Sequence, residues 1–169
     1  MVLKLGIKDD IIKWLKEEDL DISEIPIPKE APIEWAINAM SKIPMKVSIS
    51  VQKPKGRTEK YACTMGVKVA DEHKEKLSHL SEQDKANMIG ELLRSLYYMC
   101  SSCIIIFQPD LSMPDNIIVT KVIYGEKLSQ SELTDSIRLL TNTYTLIATY
   151  FNIKLGGSFK QGGQTVMHM

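Results

Sequence analysis

The sequence predicts an α+β fold, with helices packed on an antiparallel sheet of five strands in the order α-β-β-β-α-β-β-α. Three observations carry this. Ser81 opens a helix in which Ile89, Leu92, Leu93, Leu96, Tyr97 and Cys100 keep the spacing of one helical face. Two alternating runs, at 47–51 and 61–69, flank a charged turn and read as an antiparallel hairpin. Leu133, Ile137, Leu140, Tyr144, Ile147 and Phe151 recur at steps of four and three, so a long helix closes the fold.

In chain order, Lys8 to Leu20 reads as the first helix, with Ile7, Ile11, Trp14 and Leu15 on one face. Asp9 and Asp10 stand where acidic side chains favour a helix N-terminus. Pro26, Pro28 and Pro32 mark 21–32 as a connection, because each disfavours helix in the residue before it. Ile33, Trp35, Ile37 and Ala39 alternate with Glu34, Ala36 and Asn38 as a first strand. Val47, Ile49 and Val51 form the second, and Tyr61, Cys63, Met65, Val67 and Val69 the third. The turn between them runs from Lys53 through Pro54, Lys55 and Gly56 to Arg57.

Asp71 to His79 gathers acids and bases in a short segment and reads as one or two surface helical turns. The Ser81 helix follows, with a weaker second stripe at Met88, Leu92 and Met99 that implies contact on two sides. Cys103 to Phe107 and Ile117 to Tyr124 are strands apolar on both faces, which demands cover on both. Pro109 ends the first of these strands. Ser129 and Glu132 make a capping box for the last helix, and Gly156-Gly157 suit its C-cap. Residues 1–153 read as one domain and 154–169 as a C-terminal extension without periodicity.

Lys and Arg total 21, as do Asp and Glu, so no net charge draws a polyanion. No basic-plus-apolar leader opens the chain and no apolar run nears ~20 residues, so it reads as cytoplasmic. Three cysteines, an odd number, fit reduced thiols better than a disulfide framework.

Ile11 to Glu18, Gly66-Val67, Glu91-Leu92-Leu93 and Ile123 to Glu126 are similar to an uncharacterised archaeal domain family with no assigned activity. The element order also resembles the class I type III secretion chaperones. That resemblance implies a twisted antiparallel sheet, frequent dimers and protein segments as ligands, and supplies no catalytic residue.

The chemistry-bearing residues are few. Cys100 and Cys103 form a C-x-x-C at the C-terminal end of a helix, where the dipole disfavours the thiolate that redox chemistry needs, so both read as core. Zinc would need Cys63 and a histidine as well, at spacings that match no finger or ribbon. His73 and His79 read as solvated surface residues. Ser48 and Ser50 have no adjacent histidine, and no cofactor is expected.

Function is therefore expected to be non-enzymatic: a chaperone-like, protein-interacting homodimer acting through apolar surface. Met88, Tyr98, Met99, Ile105 and Phe107 are the expected partner-binding residues, the first three as exposed positions. Two alternatives stand beside it. One is a metal-binding or thiol-redox role for Cys63, Cys100 and Cys103. The other is nucleic-acid binding through Lys46, Lys53, Lys55, Arg57, Lys60 and Lys68, which lack the interleaved aromatics of single-strand binders.

Overall fold

The computed structural model describes residues 6–43, 45–56 and 59–156. Elements run α1 (Ile7–Glu17), β1 (Asp21–Ile25), β2 (Ile33–Ser41), β3 (Val47–Pro54), β4 (Lys60–Lys68), α2 (Asp71–Ser78), α3 (Glu82–Met99), β5 (Ile104–Gln108), β6 (Asn116–Tyr124), a short 3-10 turn and α4 (Gln130–Leu155). The strands form one antiparallel sheet ordered β1-β2-β3-β4-β6-β5. The α+β class and the antiparallel pairing hold, but the sheet has six strands rather than five, and the order is α-β-β-β-β-α-α-β-β-α rather than α-β-β-β-α-β-β-α, because 21–25 is a strand and 71–78 a helix of its own.

The additional strand is β1, in the segment read as a proline-marked connection. Its five residues carry two acids and only two apolar side chains pointing to opposite faces, so no periodicity announces it. Its order comes from outside: it pairs with β2 from Asp21↔Met40 to Ile25↔Ala36. Lys42 and Lys8 pair with Asp21 and Glu24, each at 3.0 Å.

Register sorts the sheet into two faces. On one, Ile37 and Ala39 of β2 meet Val51 and Ile49 of β3, Val51 meets Cys63 of β4, and Met65 and Val67 meet Val119 and Ile117 of β6. These join Ile11 and Leu15 of α1, Leu77 of α2, Met88, Leu92 and Leu96 of α3, and Leu133, Leu140, Ile147 and Phe151 of α4 in one core. All four helices thus serve the same face. The first and last helices do not take opposite faces: α1 and α4 bury into the same cluster and touch each other.

α4 is the central helix, lying on β3, β4 and β6 and touching α1, α2 and α3. Ser129 caps it by accepting from the Glu132 N–H, as expected. Buried hydroxyls within it return to the preceding turn, Thr141 to the Ile137 carbonyl at 2.9 Å and Thr143 to that of Leu139 at 2.8 Å. Gly156 ends it at φ 70°, a conformation open to glycine. Gly157, the other half of the expected cap, lies outside the described residues.

The α3–α4 contact is fastened by a polar cluster. The Tyr150 hydroxyl lies 2.7 Å from the Met88 carbonyl and 3.0 Å from Glu91 Oε2. The Lys154 ammonium is 2.8 Å from that same carboxylate. Lys154, and after it Tyr150, hold the Glu91 carboxyl below the usual carboxylate range.

Urea titration should place Leu140→Ala about 2–5 kcal/mol below the parent chain, and Tyr150→Phe about 1 kcal/mol below it. Because its folded pKa is depressed, Glu91 contributes in full above its ordinary value of about 4.3 and progressively less as pH falls through the lower folded value. Glu91→Gln should therefore lose less stability than the parent between neutral and acidic pH, measured by the same titration.

Candidate interaction surface

α3 begins at Ser81, whose Oγ accepts from the Asp84 N–H at 3.1 Å and donates to its carboxylate at 2.6 Å. Its inward stripe is Lys85, Met88, Ile89, Leu92 and Leu96. The helix stops at Met99, and Cys100 and Cys103 are joined by a disulfide across Ser101 and Ser102. This corrects the reading of that pair as reduced core thiols. The turn brings their Cα atoms to 5.3 Å, inside the span a disulfide requires. Cys63 remains a free, buried thiol, and burial pushes its pKa up to about 12.

The bridged turn decides how β5 enters the sheet. Cys103 is buried, so strand alternation turns Ile105 and Phe107 inward beside it, against Val119 and Ile117 of β6. Ile104 and Ile106 therefore face the side opposite the helices, 52% and 43% exposed. On that side Ile106 neighbours Ile118 and Ile104 neighbours Thr120. Tyr124, 47% exposed under the Lys60 ammonium 5.2 Å from its ring centre, extends the apolar strip along β6.

Among the described residues no helix packs on this second face. Its middle is nonetheless out of water, since Ala36, Gln52, Ala62 and Ile118 are buried there. It is polar on β2 and β3, where Ser48 hydrogen-bonds Asn38, and again between β4 and β6, where Thr64 lies 2.9 Å from Thr120. Only the β5–β6 flank presents large apolar groups to solvent. β5 is also an edge, bonded among the described residues to β6 alone. It carries no charge and no proline, whereas the opposite edge, β1, carries Asp21 and Glu24.

The five expected partner-binding residues scatter. Tyr98 is 87% exposed at the end of α3 with Met99 beside it, and Tyr97 is exposed too. Met88 is not exposed: it is a core residue whose carbonyl faces Tyr150. Ile105 and Phe107 are half-buried against the core. On the helix-free face, the exposed apolar residues missed from the sequence are Ile104, Ile106 and Tyr124. Strand parity was the available signal, readable from a buried Cys103 but not from an all-apolar run.

Three of the hairpin cations are already engaged within the chain. Lys53 pairs with Glu34 at 2.9 Å, Lys55 donates to the Lys29 carbonyl at 2.7 Å, and Lys60 sits over Tyr124. Arg57 lies outside the described residues. Contrary to expectation His73 is buried, stacked on Phe151 with ring centres 5.8 Å apart. His79 is exposed, its Nδ1 2.8 Å from the Glu75 carbonyl. No three His, Cys, Asp or Glu side chains among the described residues are grouped to hold a metal ion.

A cleft of about 330 Å³ opens between the end of α1, the end of β2 and α4. Part of its polar lining is engaged internally, with Arg138 on Glu18 at 3.3 Å and the Ser41 hydroxyl on the Ile43 carbonyl at 3.1 Å. No described helix is long and apolar enough to cross a membrane.

Residues 7–151 match the profile of a family described as an uncharacterized conserved protein, DUF2299. The chain belongs to this family. No curated protein matches the chain. Among solved structures, the crystal structure of an uncharacterized protein from Methanothermobacter thermautotrophicus is similar, with a TM-score of 0.76 and 19% identity. The match covers 88% of this chain and 99% of that one, and at such identity it is a likeness of fold. The DUF2299 match begins with α1 and ends within α4, so it takes in the whole sheet and both edges.

In the native oxidised protein, iodoacetamide should add nothing detectable by mass spectrometry. After mild reduction it should add two groups, at Cys100 and Cys103. Cys63 should react only after unfolding.

Proposed function

We propose that this DUF2299 member is a non-enzymatic, chaperone-like protein-interaction module. It holds an extended polypeptide segment on the flank formed by Ile104, Ile106, Val122 and Tyr124. The observation that supports this is the parity of β5, which turns two isoleucines outward on a sheet face that no described helix serves. Two isoleucines and a tyrosine in water are costly to leave uncovered. About half of each is already buried, so covering the rest contributes on the order of 1 kcal/mol apiece, a gain that backbone pairing along the strand must supplement.

The chemistry of the flank supports one class of ligand. A row of apolar side chains along two adjacent strands fits a chain that is itself extended, with apolar residues at every second position. The strip is nearly free of charge, Lys60 being its one cation, and that cation already lies over Tyr124. The order expected from the sequence resembles that of class I type III secretion chaperones, which bind protein segments, but the additional strand β1 departs from it, so the analogy lends this reading no more than a general likeness of helices on an antiparallel sheet.

An array of immobilised twelve-residue peptides tests it. The parent chain should retain peptides with alternating apolar residues. A double variant, Ile104→Ser with Tyr124→Ser, should bind them about tenfold more weakly while keeping the parent's circular dichroism. Binding to no peptide, or equal binding by the double variant, refutes the proposal.

A further inference from the structure

We infer that the β5 edge is a self-association site, at which a second copy of this chain pairs its own β5 antiparallel about a two-fold axis at Ile106. The inference rests on the interaction reading above and names the partner for the strand edge beside that flank. Antiparallel pairing about that centre sets Ile105 opposite Phe107, Ile106 opposite its own copy and Ile104 opposite Gln108. No charge meets a like charge, and apolar groups meet on both faces.

Three observations favour a second copy over an unrelated strand. The first is the contrast between edges. β1 is guarded by Asp21 and Glu24, both engaged by lysines, whereas the five residues of β5 carry no charge, proline or bulge, Pro109 coming only after the strand has ended. The second is charge placement. Two residues before β5, Ser102 accepts from the Lys121 ammonium at 2.7 Å; two residues after it stands Asp110. A two-fold at Ile106 carries the Lys121 end of each strand to the Asp110 end of the other, joining unlike charges twice. Asp110 is held ionised below the usual carboxylate range by the Ser112 hydroxyl and the Met113 N–H. It has no cation of its own among the described ion pairs.

The third is the apolar surface at the same strand ends. Tyr98 and Met99 are exposed just before β5, and Leu111 is exposed just after it. The same symmetry brings the first pair toward the second copy's Leu111. A two-fold normal to the sheet keeps the helices of both copies on one side. On the other side the Ile104–Ile106 strips then become one continuous apolar band.

Light scattering on the full chain at micromolar concentration should give twice the 19.1 kDa of one chain. Ile106→Lys puts two ammonium groups on the axis and should return the mass to one chain, with circular dichroism unchanged because the side chain points away from the core. Asp110→Lys should weaken the dimer about tenfold, and adding Lys121→Asp to it should restore the dimer. A single-chain mass for the parent overturns the inference, as does a dimer indifferent to Ile106→Lys. The peptide array separates this from the interaction reading. A monomer that still retains peptides through Ile104 and Tyr124 loses only the self-pairing, and a dimer that retains none loses only the peptide site.

Discussion

A sheet has two faces, and the described chain supplies helices to one. Everything else in the architecture answers to that imbalance. α4 lies on the three central strands, with α1, α2 and α3 against it, so the face carrying Val51, Cys63, Met65 and Val119 is fully enclosed. Residues of opposite parity must then suit a surface without a helical layer. Across the middle they do so by being small or by bonding each other, as Asn38, Ser48, Thr64 and Thr120 do. A row read through the register, Asn38, Ser50, Thr64, Thr120 and Ile104, is polar until its last member. The apolar flank is the end of that gradient, confined to the edge where a neighbouring polypeptide has access.

Much of this was legible in the residues, and the parts that were not share a cause. The hairpin of β3 and β4 and the helix α4 were readable because each has one buried face, so periodicity and burial coincide. β1 was not, because an edge strand of five residues takes its order from its neighbour and from ion pairs with Lys8 and Lys42, which leave no periodic trace. β6 is two-sided and closed on both sides along its first half, Ile117 and Val119 in the core and Ile118 on the far face, and opens only toward Tyr124 at its end. β5 reads the same in sequence and differs in place. Being last in the sheet, it spends one set of isoleucines on the core and leaves the other in water. Position in the sheet is a non-local property, and no window of sequence contains it.

The cysteines and histidines show how local chemistry yields to packing. Cys63 faces Val51 across the strand pair, in the middle of the core, where desolvation favours the neutral thiol. His73 looks solvated within its charged segment, yet it lies against Phe151 because α2 rolls one side of its short helix onto α4. Cys100 and Cys103 sit at the negative end of the α3 dipole, which opposes thiolate formation, and they are spent on a bridge that ties helix to strand.

That bridge links core and surface. A strand apolar at every position is indifferent to which of its sides faces inward, since Ile104 and Ile106 would fill a core as readily as Ile105 and Phe107. Something outside the strand must break the tie, because a one-residue slip exchanges the two sets completely. Cys103 breaks it. Its buried side chain, fastened to the end of a helix that is itself anchored by Leu92 and Leu96, sets the parity of every residue that follows. At the other end the Asp115 N–H holds the Gln108 carbonyl at 2.6 Å, so the strand cannot shift along β6. The exposed isoleucines are thus a consequence of how α3 ends.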